Sequence, residues 1–273
     1  MVRLFKKNFN LKQICDSGQC FRMKELPTDD ETEKEFEIIA GDKYVRARQE
    51  GYVTEMSCTP FEFQEFWAEY FDLETDYEAF IDSVDENDEY LKKAAEYGNG
   101  IRILKQDLWE MIVTFLISQQ NNIKRIRKCV ELICEKYGNE CESIFGNTYY
   151  AFPKPETLVD LESDALMECN LGYRSKYVVD TAKKVVSGEI DLDAISKMNY
   201  ADARKELLKL FGVGEKVADC IALFALHHLE AFPVDTHIKQ VFEKEYPEGF
   251  PFEKYQGYSG VLQQYIFYYD LKQ

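Results

Sequence analysis

The chain has 273 residues, with 33 Lys and Arg against 50 Asp and Glu, a formal net charge of −17 at pH 7. Apolar residues make up 45%, enough for one large domain or two to three subdomains with a real core. No apolar run is long enough to span a bilayer, and Met1 to Asn8 lacks the apolar stretch of a secretory leader, so a soluble, cytoplasmic protein is expected. Eight cysteines form no CxxC pair, and three histidines cannot complete a zinc-finger spacing. Reduced, mostly buried thiols are expected, with no metal and no cofactor.

Residues 1 to about 60 read as strands. Phe36–Ala40 and Lys43–Arg48 flank Gly41-Asp42 as a hairpin, Gly51–Thr54 follows, and Thr28–Glu35 reads as a charged loop. From about Thr59 the period changes, and Phe61, Phe63, Phe66, Trp67, Tyr70 and Phe71 suit a helical face. Val84–Glu89 is an acidic break and Tyr97–Gly100 a turn. Beyond Ile101 the chain reads as helical. Leu108, Met111, Ile112, Phe115 and Leu116 recur at helical spacing, and Ile123–Tyr137 is a second helix. Pro153 and Pro155 open a third, and Arg174–Val186 is another. Two short helices are expected within Leu207–Leu226, around Gly212-Val213-Gly214. Pro233-Val234-Asp235 starts a helix through Val241, and a final helix covers about Ser259–Leu271.

A net charge this negative argues against a polyanionic partner such as DNA. The distribution is uneven: residues 1–98 carry 12 basic against 24 acidic side chains, residues 99–273 carry 21 against 26. Between 120 and 136 the sign reverses, with Lys124, Arg125, Arg127, Lys128 and Lys136 against Glu131 and Glu135. A face that accepts DNA has room there.

Chemistry concentrates in Leu207-Leu208-Lys209-Leu210-Phe211-Gly212-Val213-Gly214-Glu215-Lys216-Val217-Ala218-Asp219-Cys220. Gly212 and Gly214 permit a sharp turn and bare the amides of a helix N-terminus, which favours an anion such as a phosphate. An ordinary helix–helix turn fits the glycines equally well. Lys216 lies in the first turn of that helix, where the dipole and desolvation both disfavour an ammonium, as a nucleophilic amine requires; a solvated surface lysine is the plainer alternative. Nineteen residues on, Asp235 precedes Thr236-His237 and suits an N-cap. A capping carboxylate is also a well-fixed anion, able to stabilise positive charge on a sugar.

Together, G-V-G-x-K-V-A-D-C and P-V-D-x-H resemble the helix-hairpin-helix DNA glycosylases, and among them the 8-oxoguanine glycosylase/lyase family, in a compact form similar to bacterial members. Ser17-Gly18-Gln19-Cys20-Phe21, Leu171-Gly172-Tyr173-Arg174-Ser175-Lys176-Tyr177 and Q-x-x-x-F-x-x-D-L from Gln263 carry the likeness over nearly the whole chain. The fold it implies is α+β: an N-terminal antiparallel β-sheet subdomain with flanking helices, residues 1–98, then a mainly helical region, residues 99–273, in two helical subdomains. The hairpin spans 207–226, and the helix 259–271 closes the base pocket. The C-terminal iron–sulfur cluster of some relatives is not expected, because no cysteine follows Cys220.

The resemblance implies that Lys216 attacks C1′ of the damaged nucleotide, forms a Schiff base and nicks the strand by β-elimination, with Asp235 stabilising the sugar cation. A flipped base would meet the Gly18 carbonyl, which accepts from the N7–H that 8-oxoguanine has and guanine lacks. Cys220 and Phe267 would sandwich it, and Gln263 would read its Watson–Crick edge. His237, oriented by Asp270, would lie near the phosphate with Gly212 and Gly214. Tyr173 would act as the wedge, and Arg125 and Arg174 would donate to the opposite cytosine. Three positions depart from the family pattern: Gln120 in place of asparagine, Phe211 in place of the proline before G-V-G, and Phe224 in place of a pocket methionine. The expected partner is double-stranded DNA containing 8-oxoguanine, the expected state a monomer. A glycosylase for other oxidised or alkylated bases, or a non-catalytic DNA-binding protein, are the competing readings.

Overall fold

The computed structural model describes residues 1–28 and 33–272. Five strands, β1 (Val2–Phe5), β2 (Met23–Leu26), β3 (Lys34–Ala40), β4 (Lys43–Glu50) and β5 (Val53–Met56), form one antiparallel sheet in the order β1-β5-β4-β3-β2. The Gly41-Asp42 turn sets the β3–β4 register, pairing Ala40 with Lys43 and Ile38 with Val45. Alternation puts Phe36, Ile38, Val45, Ala47 and Met56 on the buried face. Of the expected charged loop 28–35, residues 29–32 lie outside the described residues, and Lys34 and Glu35 belong to β3.

The strand reading of residues 1–60 misses a helix, Leu11–Asp16, inserted between β1 and β2. Asn10 caps it by accepting the Gln13 N–H at 3.0 Å, and Leu11, Ile14 and Cys15 plug it into the sheet's core with Trp67, Tyr70 and Phe71. Its C-terminus delivers Ser17-Gly18, so this short element positions a predicted site residue. The aromatic stretch after Thr59 is helical with a π-type middle, Phe63–Trp67.

The remainder is helical apart from a small hairpin, Glu140–Glu142 with Thr148–Tyr150, which the helical reading of this half does not anticipate. Leu108–Ser118 is buried on almost every side, so its pattern is apolar all round. Tyr77–Asp82 and Glu89–Tyr97 pack with this helical cluster, and Leu91 and Ala94 share its core with Tyr265 and Ile266 of the C-terminal helix. The hairpin's first helix is Tyr200–Leu207, earlier than expected, because Asn199 caps it by accepting the Asp202 N–H; residues 208–214 are turn and the second helix is Glu215–Phe224. Thr236–Glu245 runs four residues beyond the expected Val241, and the last helix is Ser259–Leu271 as expected.

One buried amide ties the two halves together beside the site. Gln19 Nε2 donates to Arg102 O and Ser17 Oγ, each at 2.9 Å, and Gln19 Oε1 accepts the Leu104 N–H at 2.8 Å. Gln19→Leu would leave that N–H and that carbonyl buried and unpaired. The expected loss is about 2–4 kcal/mol of unfolding free energy, measured by urea denaturation; a loss below ~0.5 kcal/mol would show that the amide ties nothing.

Candidate active site

Lys216, Cys220, Phe224, Asp235, Gln263, Phe267 and Gly18 line one narrow cavity of about 40 Å³, together with Ser17, Phe115, Pro233 and Gln264. Five segments of the chain therefore meet at one point. The hairpin's second helix carries Lys216, Cys220 and Phe224 at intervals of four, on one face. Asp235 accepts the Ile238 N–H at 2.9 Å as N-cap of Thr236–Glu245, so its carboxylate is held by the helix it starts. Gln263 and Phe267 come from one face of the C-terminal helix.

The side chains are held before any ligand arrives. Gln263 is 3% exposed; its Nε2 donates to Pro233 O and its Oε1 accepts from Gln264 Nε2, both at 3.0 Å. Gly18 sits at φ +77°, and Phe267 Cε1 lies only 3.3 Å from where a Cβ on it would stand. The Phe267 ring thus rests on the residue expected to read the base. A cavity of this size holds about one water, whereas ligand pockets run to roughly 300–1,000 Å³. Base entry requires Phe267 to leave Gly18. His237 Nδ1 lies 3.0 Å from Asp270 Oδ2, and its ring meets the Phe267 ring edge-on at 6.0 Å.

The electrostatics correct one expectation. Cys220 raises the Lys216 amine above the ordinary lysine value, Asp235 adds to this, and burial opposes them without prevailing. The shift runs opposite to the lowering expected from helix dipole and desolvation. Burial also pushes the Cys220 thiol up, against the pull of Lys216.

At the rim, Gly214 is the N-cap of Glu215–Phe224 and makes no side-chain cap, with open space around it. The bare amides suit an anion. Tyr173 is exposed and its hydroxyl donates to Gln120 Oε1 at 3.5 Å. Gln120 has φ +47°, an uncommon conformation for its residue type. Arg125 is exposed, with one N–H shared with Asn170 O at 3.4 Å. Arg174 is different. It is 4% exposed, with Nε and Nη2 both donating to Gln119 O, Nη2 to Gln120 O at 3.1 Å and Nη1 to Leu171 O at 3.2 Å. Its guanidinium is thus engaged on the carbonyls of Gln119, Gln120 and Leu171, whereas Arg125 is exposed.

A much larger cavity, about 720 Å³, opens near Glu65, Glu69, Lys105, Asp107 and Glu110 and touches neither Lys216 nor Asp235. Its carboxylates suit no phosphate, although burial pushes Glu110 up to about 7.

Residues 1–112 match the family model for the 8-oxoguanine DNA glycosylase N-terminal domain, and residues 113–247 that for the HhH-GPD superfamily of base excision DNA repair proteins. The Clostridium acetobutylicum 8-oxoguanine glycosylase/lyase, solved with dsDNA containing cytosine opposite 8-oxoG, superposes over 100% of this chain and 98% of its own, with TM-score 0.89 and 36% identity. The chain belongs to the 8-oxoguanine DNA glycosylase family. A further member, MBOgg1 with a low-affinity DNA ligand, gives TM-score 0.90 at 36% identity over 99% of its chain. The Saccharomyces cerevisiae N-glycosylase/DNA lyase is 38% identical over 54% of this chain and 42% of its own, and the probable N-glycosylase/DNA lyase of Methanothermobacter thermautotrophicus 31% over 65% and 62%. The chain thus spans less than two thirds of those two relatives.

Against the 8-oxoguanine glycosylase pattern, Phe224 stacks on Phe115 with centroids 5.6 Å apart and planes at 15°, making an aromatic pocket wall. The Lys216 amine lies 5.5 Å from that Phe115 ring. Sequence reasoning gave no role to Phe115, Gln264 or Gln19. Phe115 was visible as an apolar helical position, but nothing local marks it as facing Lys216.

Because Cys220 raises Lys216, Cys220→Ala lowers the amine's pKa. The neutral amine is the nucleophile, so the rising limb of single-turnover cleavage at an abasic site shifts to lower pH. That substrate carries no base for Cys220 to touch. A limb that stays in place, or moves to higher pH, contradicts the assigned cause.

Proposed function

We propose that this chain excises 8-oxoguanine from duplex DNA, preferentially opposite cytosine, and then cleaves the strand at the resulting site. The observation that carries the reading is the meeting of Lys216, Asp235, Gly18, Gln263, Cys220 and Phe267 in one cavity. A nucleophile and a fixed carboxylate supply the chemistry; the other four supply a base slot.

The steps follow from those groups. The duplex is opened at Tyr173 and the nucleotide rotates into the pocket, displacing Phe267 from Gly18. Cys220 and Phe267 hold the base by its faces and Gln263 by an edge. The Gly18 carbonyl accepts from N7–H; guanine would set lone pair against lone pair, a penalty of about 1–3 kcal/mol. Lys216, once deprotonated, bonds to C1′ as the C1′–N9 pair leaves with the base, which gains a proton. Asp235 stabilises positive charge on the sugar through this step. Ring opening gives the Schiff base; loss of a C2′ proton then expels the 3′ phosphate.

Lys124, Arg125 and Lys128 are exposed on Ile123–Tyr137, and with the bare amides at Gly214 they form the backbone-binding face. The acidic excess of residues 1–98 lies apart from it in sequence. Among the described residues no helix is long and apolar enough to cross a membrane. Action as a monomer among cytoplasmic DNA completes the proposal.

The test is strand nicking on four duplexes carrying 8-oxoguanine opposite each base, with guanine duplex as control. The expected order puts cytosine first by roughly tenfold or more, in keeping with ~1–3 kcal/mol per well-read base, and Arg125→Ala flattens it. Asp235→Asn is expected to slow excision by about 10²–10³. No preference for 8-oxoguanine over guanine would overturn the substrate assignment.

A further inference from the structure

The wedge and the phosphate-binding turn come from different parts of the chain, and one ring joins them. Tyr177, two residues into the helix Ser175–Val186, lies between Tyr173 and Phe211. It meets Tyr173 edge-on at 5.7 Å and 78°, and Phe211 at 4.8 Å and 85°. Gly212 lies directly against the same ring. A Cβ on Gly212 would stand 2.7 Å from Tyr177 Cδ2 and Cγ and 3.0 Å from Cε2, and Gly212 has φ +90°. Both the close approach and the backbone conformation require glycine there. The Lys176 amine lies 5.5 Å from the Tyr177 ring and 5.4 Å from Phe211.

Tyr173 and Phe211 are 47% and 48% exposed, so the outer two rings face solvent while the half-buried Tyr177 holds them. A proline before G-V-G would stiffen the turn by itself. Here Phe211 leaves that backbone free and braces it through a side chain instead. We infer that Tyr177 is a positioning residue that fixes the wedge at Tyr173 relative to the phosphate grip at 211–214, so that strand opening and backbone grip occur in register. The inference rests on the proposed function only for the identity of the lesion; the mechanical link is a property of the DNA-bound protein whatever base it excises.

The consequence is specific. Wedge insertion depends on Tyr177, whereas attack on a site that already lacks its base depends on it much less. The helix that holds Tyr177 is anchored independently, through Ser175 Oγ accepting the Leu166 N–H at 3.0 Å and through buried Val178, Val179 and Ala182. No hydrogen bond of the Tyr177 hydroxyl enters the argument, so Tyr177→Phe is the conservative control.

The experiment uses the full chain in a Lys216→Gln background, with a duplex carrying a tetrahydrofuran abasic analogue opposite 2-aminopurine. Fluorescence of that base reports wedge insertion without chemistry. Tyr177→Leu is expected to reduce the fluorescence change several-fold at saturating protein, and Tyr177→Phe to restore it. Tyr173→Ala and Phe211→Ala are expected to be non-additive when Tyr177 is present and additive in Tyr177→Leu. With Lys216 intact, Tyr177→Leu should slow 8-oxoguanine excision at least tenfold more than cleavage at a natural abasic site. Equal fluorescence in Tyr177→Leu and the parent, or additive effects with Tyr177 present, would overturn the link. Loss of both activities in equal proportion would also overturn it, marking Tyr177 as merely structural. Intact wedge insertion by a parent that excises no 8-oxoguanine would instead count against the proposed function.

Discussion

Lys216 and Asp235 line one small cavity, and the architecture around them serves to hold them there. Asp235 is tied to the N-terminus of Thr236–Glu245 by its own cap bond, and Lys216 rises from the first turn of Glu215–Phe224. The cap bond fixes the Asp235 carboxylate, and the helix fixes the point from which the Lys216 side chain extends. In this setting Cys220 and then Asp235 raise the lysine above its ordinary value.

The same economy appears around the pocket. Gly18 is delivered by the short helix Leu11–Asp16 and fixed by the buried amide of the next residue, Gln19, which bridges to residues 102 and 104. The sheet subdomain acts here as the support of one wall of the site. Arg174 plays a comparable part at the rim. Its guanidinium is spent on the carbonyls of Gln119, Gln120 and Leu171, which sets the loop carrying Gln120 against Tyr173. Arg125 stays exposed on that side, with Lys124 and Lys128 on the same helix. Binding a polyanion with a chain of net charge −17 then relies on a local basic face and oriented amides, and such contacts weaken steeply with salt.

Much of this was legible in the sequence where the information is local. The Asp235 cap, the glycine turn, the β3–β4 hairpin and the bounds of the C-terminal helix are all set by residues within a few positions of one another. The helix Leu11–Asp16 and the early start of Tyr200–Leu207 were missed because each depends on a single capping asparagine, Asn10 or Asn199, in an unremarkable stretch. The upward shift of Lys216 and the engagement of Arg174 were harder to read. The first is set mainly by Cys220, one turn on, with Asp235 adding from the next helix, and the second mostly by the Gln119 and Gln120 carbonyls, distant in sequence. Family likeness supplied the roles of Gly18, Gln263 and Phe267; the residues alone suggested a turn, a surface amide and core.

The central claim is that one amine, Lys216, bonds to the sugar. Borohydride reduction in the presence of 8-oxoguanine duplex, followed by proteolysis and mass mapping of the cross-linked peptide, tests it directly. A single adduct is expected on the peptide containing Lys216, absent in Lys216→Gln. An adduct on the N-terminal amine or on another lysine, or one that persists in that variant, would contradict it.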